Sequence, residues 1–264
     1  VLGLYDSGLG GLTVLAAMRA AGITQDIVYF ADQAHAPYGD KTDEALHGFL
    51  SENLALLAAQ HVDAVVTACN TSCAVAQRLG WPDVPFPVLD LIATAGASFA
   101  GTPHADIAVV ATAATVRSGA YARAIGAAAH GVSITEHAAP ELVPIVERGE
   151  VDSGEARVAV YDVVAELPAK LDAVVYGCTH YPLLDIWFAE ALAARGNARV
   201  ERIDPARAQA EAAKLLIAEL GLPPGTSRTS YFTNGDPVAF EHAVRRWTGD
   251  QTGPVAAMYA PASR

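Results

Sequence analysis

Cysteine is scarce in this chain and odd in number: Cys69, Cys73 and Cys178 are the only three among 264 residues. So few, and so scattered, they do not read as a disulfide framework, and a reduced, cytoplasmic setting is expected. Long apolar runs are also missing. Residues 54–68 come nearest, but Gln60, His61 and Asp63 interrupt them, and a spanning helix needs about 18 unbroken apolar residues. No membrane partner is expected. No basic region precedes the strand-like residues 1–5, so no signal peptide is expected either. Positive charge is sparse: 17 Lys and Arg stand against 29 Asp and Glu, a formal net charge of −12. That balance argues against nucleic acid as a partner, and an anionic ligand would have to be held locally, by backbone N–H groups.

Two cofactor chemistries find little footing. Cys69, Cys73, Cys178 and His180 could be written as metal ligands, but Cys-x-x-x-Cys with Cys-x-His is not a usual zinc spacing. Pyridoxal phosphate would need a Schiff-base lysine. Lys41 lies in a polar loop, Lys170 precedes a strand, and Lys214 falls mid-helix. Neither a metal nor a cofactor is expected.

What the chain does have is apolar content, 52% of residues, enough for a real core. Strand-like segments alternate with helical ones throughout, which predicts an α/β fold with mostly parallel sheets. Strands are expected near 1–5, 27–31, 62–68, 88–91, 106–111, 133–136, 171–177, 199–203 and 229–233. Helices are expected near 12–20, 43–61, 72–79, 118–127, 142–148, 153–167, 183–194, 205–220 and 237–247. The pattern restarts after Ile92 and returns near residue 206. This predicts a first domain of 1–92 plus 207–264 and a second of 93–206, two similar α/β domains related by a pseudo-two-fold axis around a central cleft.

One segment appears twice. Val62-Asp63-Ala64-Val65-Val66-Thr67-Ala68-Cys69-Asn70-Thr71 is echoed by Leu171-Asp172-Ala173-Val174-Val175-Tyr176-Gly177-Cys178-Thr179-His180. Each is a β-branched run ending on cysteine and polar groups. Buried parallel strands read this way, and α/β folds place ligands at the carboxyl ends of such strands. A buried cysteine is commonly inert; two at matched strand ends are not so easily dismissed. Both are expected near helix N-termini, which lower a thiol's pKa. Cys73 has no counterpart and reads as packing. His180, two residues beyond Cys178, reads as an orienting or proton-sharing partner; His35 and the remaining histidines have no comparable context.

Asp6-Ser7-Gly8-Leu9-Gly10-Gly11 follows the first strand and opens a helix. Such a loop suits an anion at a helix N-terminus, or is a tight strand–helix turn and no more. A dinucleotide fingerprint would want its third glycine where Thr13 stands. Asp6 beside an anion site would need a reason, and serving as a base partner or ammonium ligand would be one.

Together these residues resemble the aspartate/glutamate racemase family, in its glutamate-specific branch. The resemblance rests on Asp6–Gly11, Pro37-Tyr38-Gly39, Cys69-Asn70-Thr71, Thr112 with Thr115, and Gly177-Cys178-Thr179-His180-Tyr181-Pro182, in the family's order over most of the chain. Pro144-Ile145-Val146-Glu147 is similar to a further family segment. The family usually has glycine at positions 111 and 114, where this chain has alanine. The resemblance implies cofactor-independent interconversion of L- and D-glutamate, supplying D-glutamate for peptidoglycan and so for cell-wall biogenesis and cell shape. It implies Cys69 and Cys178 as acid/base pair, Cys69 acting on D-glutamate and Cys178 on L-glutamate. Asp6, His180 and Glu147 would assist. Asp6, Ser7, Pro37, Tyr38, Gly39, Asn70, Thr71, Thr112, Thr115, Thr179 and His180 would contact substrate. A homodimer is compatible with it. The rivals are an aspartate racemase, a related decarboxylase, which would need one cysteine, and a clam-shell binding protein, which would need none.

Overall fold

The computed structural model describes residues 1–250 and 255–257. Among these residues ten strands form two sheets, and every strand pair is parallel. The chain opens with β1 (Leu2–Asp6), β2 (Ile27–Ala31), β3 (Ala64–Thr67) and the short β4 (Val88–Leu89). The next four are β5 (Asp106–Ala111), β6 (Ser133–Ala138), β7 (Ala173–Gly177) and β8 (Glu201–Ile203). Finally β9 (Thr229–Thr233) and β10 (Ala256–Ala257) rejoin the first sheet.

The first sheet runs β10-β9-β2-β1-β3-β4 and the second β6-β5-β7-β8. Both therefore contain the same local order of second, first, third and fourth strand. In each, the chain leaves the first strand to one side and later returns to the other. That switch of direction opens a crevice at the carboxyl ends of the first and third strands. β3 and β7 hold the same place in their sheets, and a cysteine follows each closely. The repeat seen in the sequence is thus a repeat in topology.

Burial explains the composition of these strands. β1, β2, β3 and β7 are buried along their whole length, as strands covered by helices on both faces must be. Four apolar clusters result, one on each face of each sheet.

Several elements differ from the sequence reading. A helix, Leu91–Ala97, spans the expected divide at 92/93; the Asp90 carboxylate caps it, accepting from the N–H groups of Ile92 and Ala93. Residues 112–115, between the strand expected near 106–111 and the helix expected near 118–127, hold the start of the helix Ala113–Ser118, because the Thr112 hydroxyl caps it by accepting from the Thr115 N–H. This helix ends at Gly119, with φ of +62°, and a second runs Ala120–Ala128. The alanines at 111 and 114 suit their strand and helix. The helix expected at 183–194 begins as a 3-10 turn, Tyr181–Leu184, with Pro182 near its start, and becomes α-helical only at Asp185. Of the proposed 207–264 segment, residues 251–254 and 258–264 lie outside the described residues.

Candidate active site

Thr67 ends β3, and Cys69 is the N-cap of the helix Asn70–Leu79, two residues earlier than the sequence pattern suggested. Cys178 follows β7 directly, ahead of the 3-10 turn. The expectation of a helix N-terminus beside each thiol therefore holds for Cys69 and not for Cys178. Both cysteines line one cavity of about 190 Å³. Asp6, Ser7, Pro37, Tyr38, Gly39, Asn70, Thr71, Thr112, Glu147, Thr179 and His180 line it as well. Of the residues expected at the site, Thr115 alone stands behind the wall, fully buried and bonded to Thr112 and Thr71. A larger cleft of about 790 Å³, beside the helices Leu91–Ala97 and Ala206–Glu219, contains none of the expected residues. Chemistry locates the site where size does not.

Contacts between the two halves converge on the cavity. Thr71 and Thr112 hydroxyls meet at 2.9 Å. The Tyr121 hydroxyl donates to Asn70 Oδ1 at 2.6 Å. The Leu9 N–H donates to Glu147 Oε1 at 2.8 Å, and the Thr13 hydroxyl to the Thr179 carbonyl at 3.2 Å.

Three N–H groups of the glycine loop are taken up by the protein's own carboxylates: Gly8 and Gly11 donate to Asp6 Oδ2, at 3.2 and 2.8 Å, and Leu9 donates to Glu147. The glycines serve close approach. A Cβ at Gly8 would strike the Glu147 carboxylate, and one at Gly10 would strike Thr179 and His180.

Burial sets the charges. It pushes the Cys69 thiol up to about 11, and the neighbouring Asp6 carboxylate adds to the rise, against Ser72 and Ser7 hydroxyls that favour the thiolate. This reverses the lowered value expected from the helix N-terminus. Burial likewise raises Asp6, opposed chiefly by His180. Burial acts to lower His180, but Cys178 and Glu147 outweigh it and hold the imidazole well above its usual range. Burial acts to raise Glu147, but its bond to His180 prevails and holds the carboxyl low. His180 is thus an imidazolium, with Nδ1 3.6 Å from Cys178 Sγ and Nε2 donating to Glu147 Oε1 at 2.5 Å.

Two buried polar atoms of cavity-lining residues have no hydrogen-bond partner among the described residues: Asp6 Oδ1 and Asn70 Nδ2. One is an acceptor and one a donor. Buried polar atoms are rarely left unpaired, so this pair suits a ligand carrying both a donor and an acceptor. Cys73 does not line this cavity; it is fully buried with its sulfur 3.0 Å from the Thr67 hydroxyl. Among the described residues, no group of three or more His, Cys, Asp or Glu is arranged to hold a metal ion, and no helix is long and apolar enough to cross a membrane.

Residues 13–213 match the family model described as Asp/Glu/Hydantoin racemase. The chain belongs to this family. Among similar proteins, the glutamate racemase of Gloeobacter violaceus is 40% identical over 255 residues, covering 94% of this chain and 92% of its own. That of Desulforudis audaxviator is 36% identical over 265 residues, covering 96% of each. Among solved structures, glutamate racemase from Francisella tularensis in complex with D-glutamate superposes with a TM-score of 0.86 at 25% identity, over 99% of this chain and 98% of that one. The Thermus thermophilus enzyme in complex with beta-chloro-D-alanine gives 0.80 at 31%, over 97% and 96%. The fold is that of the two-domain glutamate racemases.

The sequence reading passed over residues behind the wall. Asp32, Tyr5, Asn53 and Ser72 are buried next to Tyr38 and Cys69. Asp32 carried a signal, since it directly follows β2 at its carboxyl end, where this fold concentrates chemistry.

Proposed function

We propose that this chain interconverts L- and D-glutamate without a cofactor, Cys69 and Cys178 serving as the paired acid and base, and that it supplies D-glutamate for peptidoglycan. The observation that carries the reading is the presence of both thiols on one small cavity whose lining residues carry an unpaired acceptor and an unpaired donor. An amino acid offers an ammonium to Asp6 Oδ1 and a carboxylate to Asn70 Nδ2.

In the proposed reaction one thiolate removes the Cα proton, leaving a planar carbanion, and the opposite thiol protonates the other face. No net proton is consumed in the step. General acid–base catalysis of this kind contributes roughly 10²–10⁴-fold. Further stabilisation comes from hydrogen bonds to the charge growing on the α-carboxylate, for which Asn70, Thr71 and Thr179 are neutral donors, in a cavity that a filled site keeps dry. With its thiol raised to about 11, Cys69 rests protonated at neutral pH. The free protein is then set to receive L-glutamate, with Cys69 as the proton donor.

The test is incubation of the purified protein with each enantiomer in D₂O, with no cofactor added. Racemisation with deuterium entering Cα is expected from either side. Activity lost to a chelator, or dependent on a bound chromophore, would sink the cofactor-free reading; binding without exchange at Cα would favour the clam-shell binder.

A further inference from the structure

Behind the Tyr38 wall lies a polar layer that the proposed reaction does not use. Asp32 is fully buried. Its Oδ2 accepts from the Tyr38 hydroxyl and, at 3.0 Å, from Asn53 Nδ2. Its Oδ1 accepts from Asn234 Nδ2 and lies 2.7 Å from His35 Nδ1. In the other direction, the Tyr38 and Tyr5 hydroxyls are 3.0 Å apart, and Tyr5 and Ser72 hydroxyls 2.9 Å apart. The Ser72 hydroxyl lies near enough to the Cys69 sulfur to favour its thiolate. Tyr5 and Ser72 are fully buried, Cys69 is 3% exposed, and the His35 ring is 36% exposed, stacked on Phe49 at 4.0 Å. A hydrogen-bonded file therefore leads from Ser72, beside Cys69, through Tyr5, Tyr38 and Asp32 to the partly exposed His35.

A two-thiol racemase has a use for such a file. Each turnover leaves the two sulfurs with their protonation exchanged, and another turnover in the same direction requires both to be reset. Cys178 has His180 and the partly exposed Glu147 beside it. Cys69 has no imidazole. If the hydroxyls served packing alone, each would need only one partner; Tyr5 and Tyr38 instead each bridge two groups in line.

We propose that Ser72, Tyr5, Tyr38 and Asp32 form a proton path between Cys69 and His35, which resets the first thiol between turnovers; the proposal rests on the two-thiol reading above. After conversion of L to D, the Cys69 thiolate takes the proton of Ser72. Ser72 takes that of Tyr5, and Tyr5 that of Tyr38. Tyr38 recovers one from Asp32, which receives it from His35, and His35 takes one from solvent. One proton moves from water to sulfur, and no hydroxyl is left ionised. Conversion of D to L runs the path in reverse.

Tyr5→Phe removes the middle link and keeps the ring; His35→Gln removes the surface exit. In free protein carrying Cys73→Ala and Cys178→Ala, exchange of the remaining S–H to S–D after mixing with D₂O is followed by its infrared band. Tyr5→Phe should slow it, a measurement that needs no substrate. With both cysteines present, Tyr5→Phe and His35→Gln should lower kcat in both directions and leave kcat/KM unchanged, because reset of the free enzyme limits only the saturated rate. Added imidazole should restore His35→Gln and not Tyr5→Phe. An unchanged exchange rate, or kcat and kcat/KM falling together, overturns the path. If the parent protein racemises neither enantiomer, the two-thiol reading fails, and the infrared measurement still decides whether the path exists.

Discussion

Cys69 and Cys178 follow strands of equal rank in two sheets of the same local topology, yet their sulfurs meet opposite surroundings. Cys69 caps a helix, sits beside the Asp6 carboxylate, and is otherwise faced by hydroxyls of Ser7 and Ser72. Cys178 precedes a 3-10 turn and has an imidazolium 3.6 Å away, braced by Glu147. An anion stands by one thiol and a cation by the other. A duplicated scaffold has thus been furnished so that its two halves differ in charge, as a reaction needs when one sulfur takes a proton while the other gives one. The division of labour is chemical rather than architectural, and substitutions can test it half by half.

The largest effect is expected at the sulfurs. Cys69→Ala or Cys178→Ala should each lower racemisation by at least roughly 10²–10⁴-fold. Enantiomers have equal free energy in water, so kcat/KM must fall equally in both directions, and racemisation rates cannot reveal which thiol serves which face. Elimination from a glutamate analogue with a good β-leaving group can, because it needs only the abstracting base. The D-analogue should be processed with Cys69 intact and the L-analogue with Cys178 intact. If both variants process the same enantiomer, one thiol does not serve each face and the comparison fails.

Next come the glycines that let the halves touch. Gly8→Ala and Gly10→Ala introduce a Cβ against Glu147 and against Thr179 and His180. Those side chains cannot simply swing away: Glu147 is held by Leu9 and His180, and His180 by Glu147 and Cys178. A displacement of about 1 Å in such a site can cost about 10²-fold in rate. Turnover should fall accordingly, while alkylation of Cys69 by iodoacetamide keeps its pH profile. A changed Cys69 profile would mean that the clash spreads to the first half.

How much of this was readable in the sequence depends on the range of the cause. The β-branched runs before Cys69 and Cys178 announce buried strands because the signal lies within a few residues, and the doubling of the motif announces the doubled sheet. The direction of the Cys69 shift was misread because a helix N-terminus is a local feature, whereas burial and Asp6 act through the fold. The Leu9 N–H looked available for the same reason: that Glu147 reaches across to it, 138 residues away in the chain, leaves no mark near Leu9. Asp32 and Tyr5 escaped notice because what distinguishes them is a contact with Tyr38, made only when β1, β2 and the loop after it assemble.

A smaller effect sharpens the charge contrast. In protein carrying Cys73→Ala and Cys178→Ala, alkylation of Cys69 should rise with pH toward a midpoint of about 11. The Asp6 charge contributes to that rise, second to burial, so Asp6→Asn should lower the midpoint and leave most of the elevation in place. A midpoint that stays put would mean burial alone sets the thiol, and that the anion beside Cys69 matters only for binding.

The smallest expected effect concerns stability and belongs to the Cys178 half. His180 is raised in the folded protein, so its contribution is complete below the ordinary imidazole value of about 6.5 and is lost as pH rises through the folded one. Glu147 is lowered, so its contribution is complete above the ordinary carboxylate value of about 4.3 and is lost as pH falls through the folded one. The pair therefore stabilises the fold most between about pH 4.3 and 6.5. Glu147→Gln leaves the buried imidazole without its carboxylate and should cost about 1–3 kcal/mol in that window. Urea unfolding of the two proteins across pH measures it, and the difference should shrink on both sides. A difference flat in pH would mean that Glu147 acts through packing and its bond to Leu9, not through charge, and the cation beside Cys178 would then owe little to it.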